Sequence, residues 1–303
     1  MDDKIEPVIA VVGHPVAGNP TQFALESAFD QANLDCRVLS FDLDEQQMPI
    51  ALAGMDAMGF RGAWIDANCK ASIVRSLASE EESKSFACDA LQRRSRQDSA
   101  KEIEVLSSPW LPIAIRQDVW GDMVAQQLAL GGFHVQQVML VGEDSTQSRR
   151  LAHSLAEVKS WPFSVPVATQ VAGSQESDSE STDPELTDEG MIRERFVFVN
   201  RPEEITRTTH ANIWLVLDGN AADAIQAFHE SSTPPGTVLV DLSEDWSAND
   251  MSEWERCKMD VGSNCITRWD IHAACLAKVV PMWLGKEVRV DVLRDAIEEY
   301  LSV

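Results

Sequence analysis

Basic residues are scarce in this chain: 25 Lys+Arg stand against 49 Asp+Glu, a formal net charge of −24 over 303 residues. A surface this negative repels phosphate backbones and anionic lipid headgroups, so nucleic acid and membranes are not expected partners. Long apolar runs are also lacking. No stretch approaches the roughly 20 residues needed to cross a bilayer, although the hydrophobic fraction, 44%, is ordinary for a globular chain. The N-terminus, Met1-Asp2-Asp3-Lys4-Ile5-Glu6, has neither the basic nor the apolar region of a secretory signal, and a cytoplasmic location is expected. The six cysteines form no C-x-x-C and no Cys/His cluster at zinc-ligand spacing, so reduced, packed thiols and no metal are expected. A chain of this length buries a core without covalent staples and accommodates about two domains.

What is present is an alternation of short apolar runs with helix-like stretches, the pattern of an α/β fold. Pro7-Val8-Ile9-Ala10-Val11-Val12-Gly13 predicts a buried strand, followed by a helix capped by Asn19 with Pro20 at its first position. Strands are also expected over 36–43 and 62–66, then a polar, broken stretch from Ser79 to Glu104, then a strand over 111–115. A helix over 118–130 leads to Gln136–Gly142, the clearest strand of a second α/β unit, with further strands at 163–169, 196–200, 213–219 and 237–241. That strand–helix alternation predicts a doubly wound parallel sheet of Rossmann-like type. The segment 173–190 carries seven acidic residues among Ser and Thr and reads as an acidic loop. Helices over 270–284 and 290–301 close the chain. The expected domains are 1–117, 118–268 and the C-terminal helices 269–303, which return to the first domain.

Three segments carry a family likeness. Gly13-His14-Pro15-Val16-Ala17-Gly18-Asn19-Pro20-Thr21-Gln22-Phe23 resembles the G-N-P-[IV]-x-H-S-x-S-P opening of shikimate dehydrogenases. Arg61-Gly62-Ala63-Trp64-Ile65-Asp66-Ala67-Asn68-Cys69-Lys70 is similar to that family's K-G-x-N-V-T-x-P-x-K, and Arg116-Gln117-Asp118-Val119-Trp120-Gly121 stands where it carries N-T-D-G-x-G. Order and spacing agree over nearly the whole chain, while most motif positions differ. The resemblance implies a substrate-binding α/β domain followed by a dinucleotide-binding domain. It also implies NADP-dependent reduction of 3-dehydroshikimate or a related cyclic hydroxy-keto acid, the substrate being a small cyclic carboxylic acid; a homodimer is compatible with it.

By position, the family's acid/base Lys and Asp fall on Lys70 and Asp118. A ketone that accepts hydride needs a proton donor at the developing alkoxide, and a Lys held by a carboxylate supplies one; the alternative is a solvated face for both. The carboxylate-binding serines fall on Asn19 and Thr21, Asn19 being equally a helix cap. Trp64 and Asp66 replace a small Asn and Thr, and Asp66 would repel a substrate carboxylate unless it points away or pairs with Lys70. Asp89 falls near a further family Asn, Glu244 near a Tyr, and Cys275 on a Gln, where a core thiol is the simpler reading.

The glycine-rich turn of the family becomes Gly142-Glu143-Asp144-Ser145-Thr146, which sets two carboxylates where a diphosphate would lie. Arg149, Arg150 and Arg201 are candidates to offset them. Cys257, Cys265 and His272 admit a Cys–His pair, packed thiols being commoner. Two readings follow: a divergent oxidoreductase, or a ligand-binding or regulatory protein on the same scaffold that has lost its dinucleotide site.

Overall fold

The computed structural model describes residues 6–77, 88–94, 108–131, 138–141, 196–199, 211–217, 221–230, 234–244, 246 and 251–302. The expected strand at 163–169, the turn 142–146 and the segment 173–190 lie outside them. The chain divides into two compact units. The first comprises Met1–Trp120, Glu244–Ala248 and Trp269–Val303; the second comprises Gly121–Ser243 and Asn249–Arg268.

In the first unit, β1 (Val8–Gly13), β2 (Arg37–Asp42), β3 (Gly62–Ile65), β4 (Ala90–Arg93) and β5 (Trp110–Ile113) form one sheet in the order β2-β1-β3-β4-β5. β2, β1 and β3 run parallel, and β4 is antiparallel to both of its neighbours. β1 is apolar on both faces because both are covered. Ala10 and Val12 join a core with Leu52 and Met55 of α2 (Met48–Met58) and Ile73 of α3 (Ala67–Leu77), while the alternate residues Ile9 and Val11 are equally buried on the other face.

α1 (Thr21–Ala32) ends on Asn33 in the left-handed region, φ 52°. It begins one residue later than the Asn19 cap predicts. Asn19 nevertheless serves it, since its Oδ1 accepts the Thr21 N–H at 2.8 Å. β4 falls in the stretch expected to be broken. Only Ala90 and Leu91 are buried in it, and its outer end is held by tertiary contacts, Arg93 Nε to Asp56 Oδ1 at 2.7 Å. Pro112 is tolerated in β5 because that strand is the edge of the sheet.

The second unit contains a sheet of β6 (Val138–Val141), β7 (Phe196–Val199), β8 (Ile213–Val216), β9 (Val238–Asp241) and β10 (Cys265–Ile266), in the order β10-β9-β8-β6-β7, all parallel. β6 has β7 on one side and β8 on the other, so the strand order reverses there, as in a doubly wound sheet. Its described helices include α5 (Ala221–Glu230) and α6 (Met251–Val261), and α4 (Arg116–Gly131) carries the chain into it. At the end of β9 the Asp241 carboxylate is paired with Arg268 at 2.6 Å, both buried.

α7 (Arg268–Leu284) and α8 (Val290–Leu301) complete the described helices. α8 packs on α1, with Phe23 and Tyr300 rings 5.9 Å apart. Trp283 of α7 lies against Gly62 and donates its indole N–H to the Leu91 carbonyl at 2.8 Å. A Cβ at Gly62 would stand 2.1 Å from that indole nitrogen. Gly62→Ala is therefore expected to destabilise the protein by about 1–3 kcal/mol, read as a lower urea midpoint at unchanged m-value.

Candidate functional site

The polar side chains that resemble a site meet at one edge of the first unit's sheet. Asn19 and Thr21 follow β1, Asp66 and Lys70 follow β3, Asp89 precedes the antiparallel β4, and Arg116 follows β5. These positions share an edge because β1, β3 and β5 end where β4 begins. Ligands in open α/β sheets bind outside the carboxyl ends of the strands. His272 and Cys275 come from one face of α7 and Glu244 and Trp246 from the short segment assigned to this unit.

Lys70 is the centre. Its Nζ donates to Asp89 Oδ1 at 2.7 Å and to Glu244 Oε1 and Oε2 at 2.6 and 2.8 Å. The two Glu244 oxygens lie side by side as seen from Nζ, so they share one N–H while Asp89 takes another. Burial pulls the ammonium toward neutrality, but Glu244 and Asp89 outweigh it and raise its pKa. Arg116 Nε lies 2.9 Å from Glu244 Oε1, so that oxygen serves two cations. Asp89 Oδ2 accepts the backbone N–H groups of Ile115 and Arg116, each at 2.8 Å, at the start of α4. Burial pushes the Asp89 carboxyl up, yet the Lys70 charge and these hydrogen bonds hold it below its ordinary value.

Beside the ion cluster lies a neutral hydrogen-bonded chain. Asn19 Oδ1 accepts both the Thr21 N–H and the Thr21 hydroxyl, at 2.8 and 2.5 Å, and Thr21 Oγ1 lies 2.8 Å from His272 Nε2. With its proton committed to Asn19, the Thr21 oxygen accepts, which assigns His272 the Nε2–H tautomer. His272 is fully buried between Trp64 and Trp246, ring centroids 4.8 and 5.0 Å away, both edge-on. Burial, reinforced by the Arg116 and Lys70 charges, draws its pKa well below the ordinary value, and the ring is neutral. Asn19 Nδ2 is buried and faces the Asp66 carboxyl in a loose hydrogen bond, which lowers that carboxyl's pKa. Burial dominates at Asp66 and raises it, against the N–H of Ala67 at the start of α3. The Cys275 thiol is pushed up to about 12 by burial, with Asp89 and Glu244 adding and Arg116 and Lys70 opposing, so it stays protonated.

No protein-family model and no curated protein sequence matches the chain. Solved structures do. The shikimate 5-dehydrogenase of Thermus thermophilus in complex with shikimate is 17% identical, with 98% of this chain and 100% of that chain covered and a TM-score of 0.58. The shikimate dehydrogenase of Aquifex aeolicus is 14% identical at TM-score 0.61, covering 98% and 99% of the two chains. The chain has the shikimate dehydrogenase fold. The 5-ketofructose reductase of a Gluconobacter strain is also similar, with 14% identity, TM-score 0.59 and coverage of 98% and 99%.

Of the residues that the resemblance to shikimate dehydrogenases picks out, the structure brings together Asn19, Thr21, Trp64, Asp66, Lys70, Asp89 and Cys275. It does not bring Asp118 to Lys70. Asp118 is exposed in the first turn of α4, and the carboxylates on Lys70 are Asp89 and Glu244. Asp118 sits two residues beyond the Arg116 amide that Asp89 holds. The positions Gly142, Glu143, Asp144, Ser145 and Thr146 lie outside the described residues. His272 bonds to Thr21; Cys257 is instead hydrogen-bonded with Cys265, which lowers its pKa. Sequence reasoning missed Arg116, Trp246 and the place of His272. The spacing of His272 and Cys275, three apart on a helix whose buried positions beyond Arg268 are otherwise apolar, is the signal that marks that face.

His272 makes stability depend on pH. Its folded pKa is depressed, so below about pH 6.5 the unfolded chain binds a proton that the fold refuses; this contribution is complete above that pH and is lost as pH falls. Asp89, also depressed, acts in the same direction at more acidic pH. Asp66, raised, acts oppositely, its contribution fading as pH rises through its folded pKa. His272→Gln should remove a slope of up to about 1.4 kcal/mol per pH unit between about pH 6.5 and 5, measured as the difference in urea-unfolding stability between variant and wild type.

Proposed function

We propose that the protein is an oxidoreductase of the shikimate dehydrogenase type that reduces a ketone on a small polyhydroxylated molecule. The resemblance names 3-dehydroshikimate or a related cyclic hydroxy-keto acid as that substrate and NADPH as the reductant. The observation that carries the reading is the Lys70 ammonium, partly buried at the carboxyl edge of the sheet and held by the Asp89 carboxylate. A carbonyl oxygen within reach of that ammonium gains charge as hydride arrives at its carbon, and a Lys70 N–H supplies the proton. The N–H shared by the Glu244 carboxylate is the one to be turned to the substrate, while Asp89 keeps its own. The raised Lys70 pKa keeps the donor protonated near neutral pH. Asp89 fixes the Lys70 nitrogen, a role the exposed Asp118 does not fill.

The order of strands around β6 suits a dinucleotide. The residues that follow in sequence suit it poorly: Glu143 and Asp144 are carboxylates where a diphosphate requires amides and close backbone approach. That mismatch, with the pairing of Lys70 to two protein carboxylates, favours the second reading, a ligand-binding or regulatory protein on the same scaffold.

Titration of NADPH and NADH into the purified protein, followed by nicotinamide fluorescence, separates the two. Saturable binding with consumption of NADPH on a hydroxy-ketone supports the oxidoreductase, and no binding at millimolar cofactor leaves the second reading. Where turnover is observed, Lys70→Met is expected to lower kcat by about 100- to 10,000-fold. Asp89→Asn should lower it further than Asp118→Asn does; the opposite order would return the pairing to Asp118.

A further inference from the structure

The two carboxylates on Lys70 are held in different ways. Asp89 is fixed by its own backbone and by the amides of Ile115 and Arg116, and its side chain is only 7% exposed. Glu244 comes from the segment Glu244–Ala248, its side chain is 24% exposed, and both Lys70 and Arg116 hold its carboxylate. Lys70 Nζ lies 2.6 and 2.8 Å from the two oxygens, and Arg116 Nε lies 2.9 Å from Oε1. Hydrogen bonds between ionised partners of this kind are the strong ones. Two cations from different elements thus converge on one carboxylate group, and the group they hold belongs to the same chain.

The proposed reaction requires that place to be vacated, since the N–H that turns to the substrate is the one the Glu244 carboxylate shares. Because one oxygen, Oε1, meets both cations, a ligand that displaces it from Lys70 disturbs the Arg116 contact as well. A neutral ligand in its place leaves two largely buried cations with one carboxylate fewer, and removing one partner of a buried ion pair is costly. A ligand carboxylate leaves the charge of the cluster unchanged. Asp66 and the neutral His272 are present in both states and drop out of the comparison.

We propose that Lys70 and Arg116 form a carboxylate-binding site that Glu244 fills from within the chain, so that Glu244 is an internal competitor of a ligand carboxylate and Arg116 a binding residue for it. This rests on the oxidoreductase reading for the need to free Lys70, but on the geometry of the three side chains for the site itself. Tethering gives Glu244 a high effective concentration at the two cations, and a free carboxylate must exceed it to exchange.

Glu244→Ala takes away Cγ and the carboxyl group, the equivalent of one acetate ion, and acetate is the probe. The urea midpoint of the full chain is measured against acetate concentration, with chloride holding the ionic strength constant. Acetate is expected to raise the midpoint of Glu244→Ala saturably, with half the effect at about 10 mM or below, and that of the wild-type protein only at about tenfold or more higher concentration. Adding Arg116→Met to Glu244→Ala should weaken the response by about tenfold or more. A Glu244→Ala protein that responds no more than wild type overturns the proposal, as does a response that Arg116→Met leaves unchanged. Where Glu244→Ala does not fold, Glu244→Gln, which keeps the stem and weakens the competitor, decides: acetate must raise its midpoint more than that of wild type, and equal shifts overturn the proposal. Acetate binding needs neither cofactor nor turnover, so the site can stand where no NADPH is consumed and the oxidoreductase reading fails.

Discussion

The Asp89 carboxylate is the tie on which the polar edge of the first unit depends. One of its oxygens binds the Lys70 ammonium and the other takes two backbone N–H groups at the start of α4, so one side chain joins α3 to the end of β5. The backbone of Asp89 is committed as well, donating to the Ile113 carbonyl and accepting from the Ile65 N–H. A buried carboxylate is stable only with that many partners. Its surroundings then fix the rest: Lys70 is turned toward Glu244, Glu244 toward Arg116, and the two cations help keep His272 neutral.

Much of the scaffold was legible because its signals are local. Val8–Gly13 reads as a strand from an unbroken β-branched run, and β6, β8 and β9 declare themselves in the same way. Parallel strands buried on both faces need such runs, so the sequence must display them. β4 shows the limit. Four residues long, with Gln92 and Arg93 in its second half, it has little intrinsic strand character and is held by pairing with β3 and β5. The start of α1 was shifted for a comparable reason: Asn19 caps as expected, but through the amide of Thr21, so the helix begins beyond Pro20.

The site was legible in part. The motif order placed Lys70, Asn19, Thr21, Asp66 and Asp89 in one region, and the fold gathers them. Which carboxylate meets Lys70 was not legible, because Asp89 and Asp118 flank the same antiparallel excursion and Asp89 is placed by backbone bonds to two strands distant in sequence from each other. The protonation of the imidazole was beyond the sequence as well. His272 lies 251 residues from Thr21, and its neutrality follows from burial and from two cations contributed by other elements.

The packing of α8 on α1, and of Trp283 against Gly62, has a consequence for biosynthesis. The first unit is assembled from both ends of the polypeptide, with the second unit's residues between them. During synthesis the sheet of β1–β5 therefore emerges long before α7 and α8 leave the ribosome to cover it. The intervening unit becomes available to fold first, and the N-terminal strands wait with an apolar face uncovered until the last 35 residues, Trp269–Val303, arrive. Closing so wide a loop adds little entropy beyond that of a shorter one, since the penalty grows only with the logarithm of length. The burden of this connectivity is one of timing, and it falls on the nascent chain.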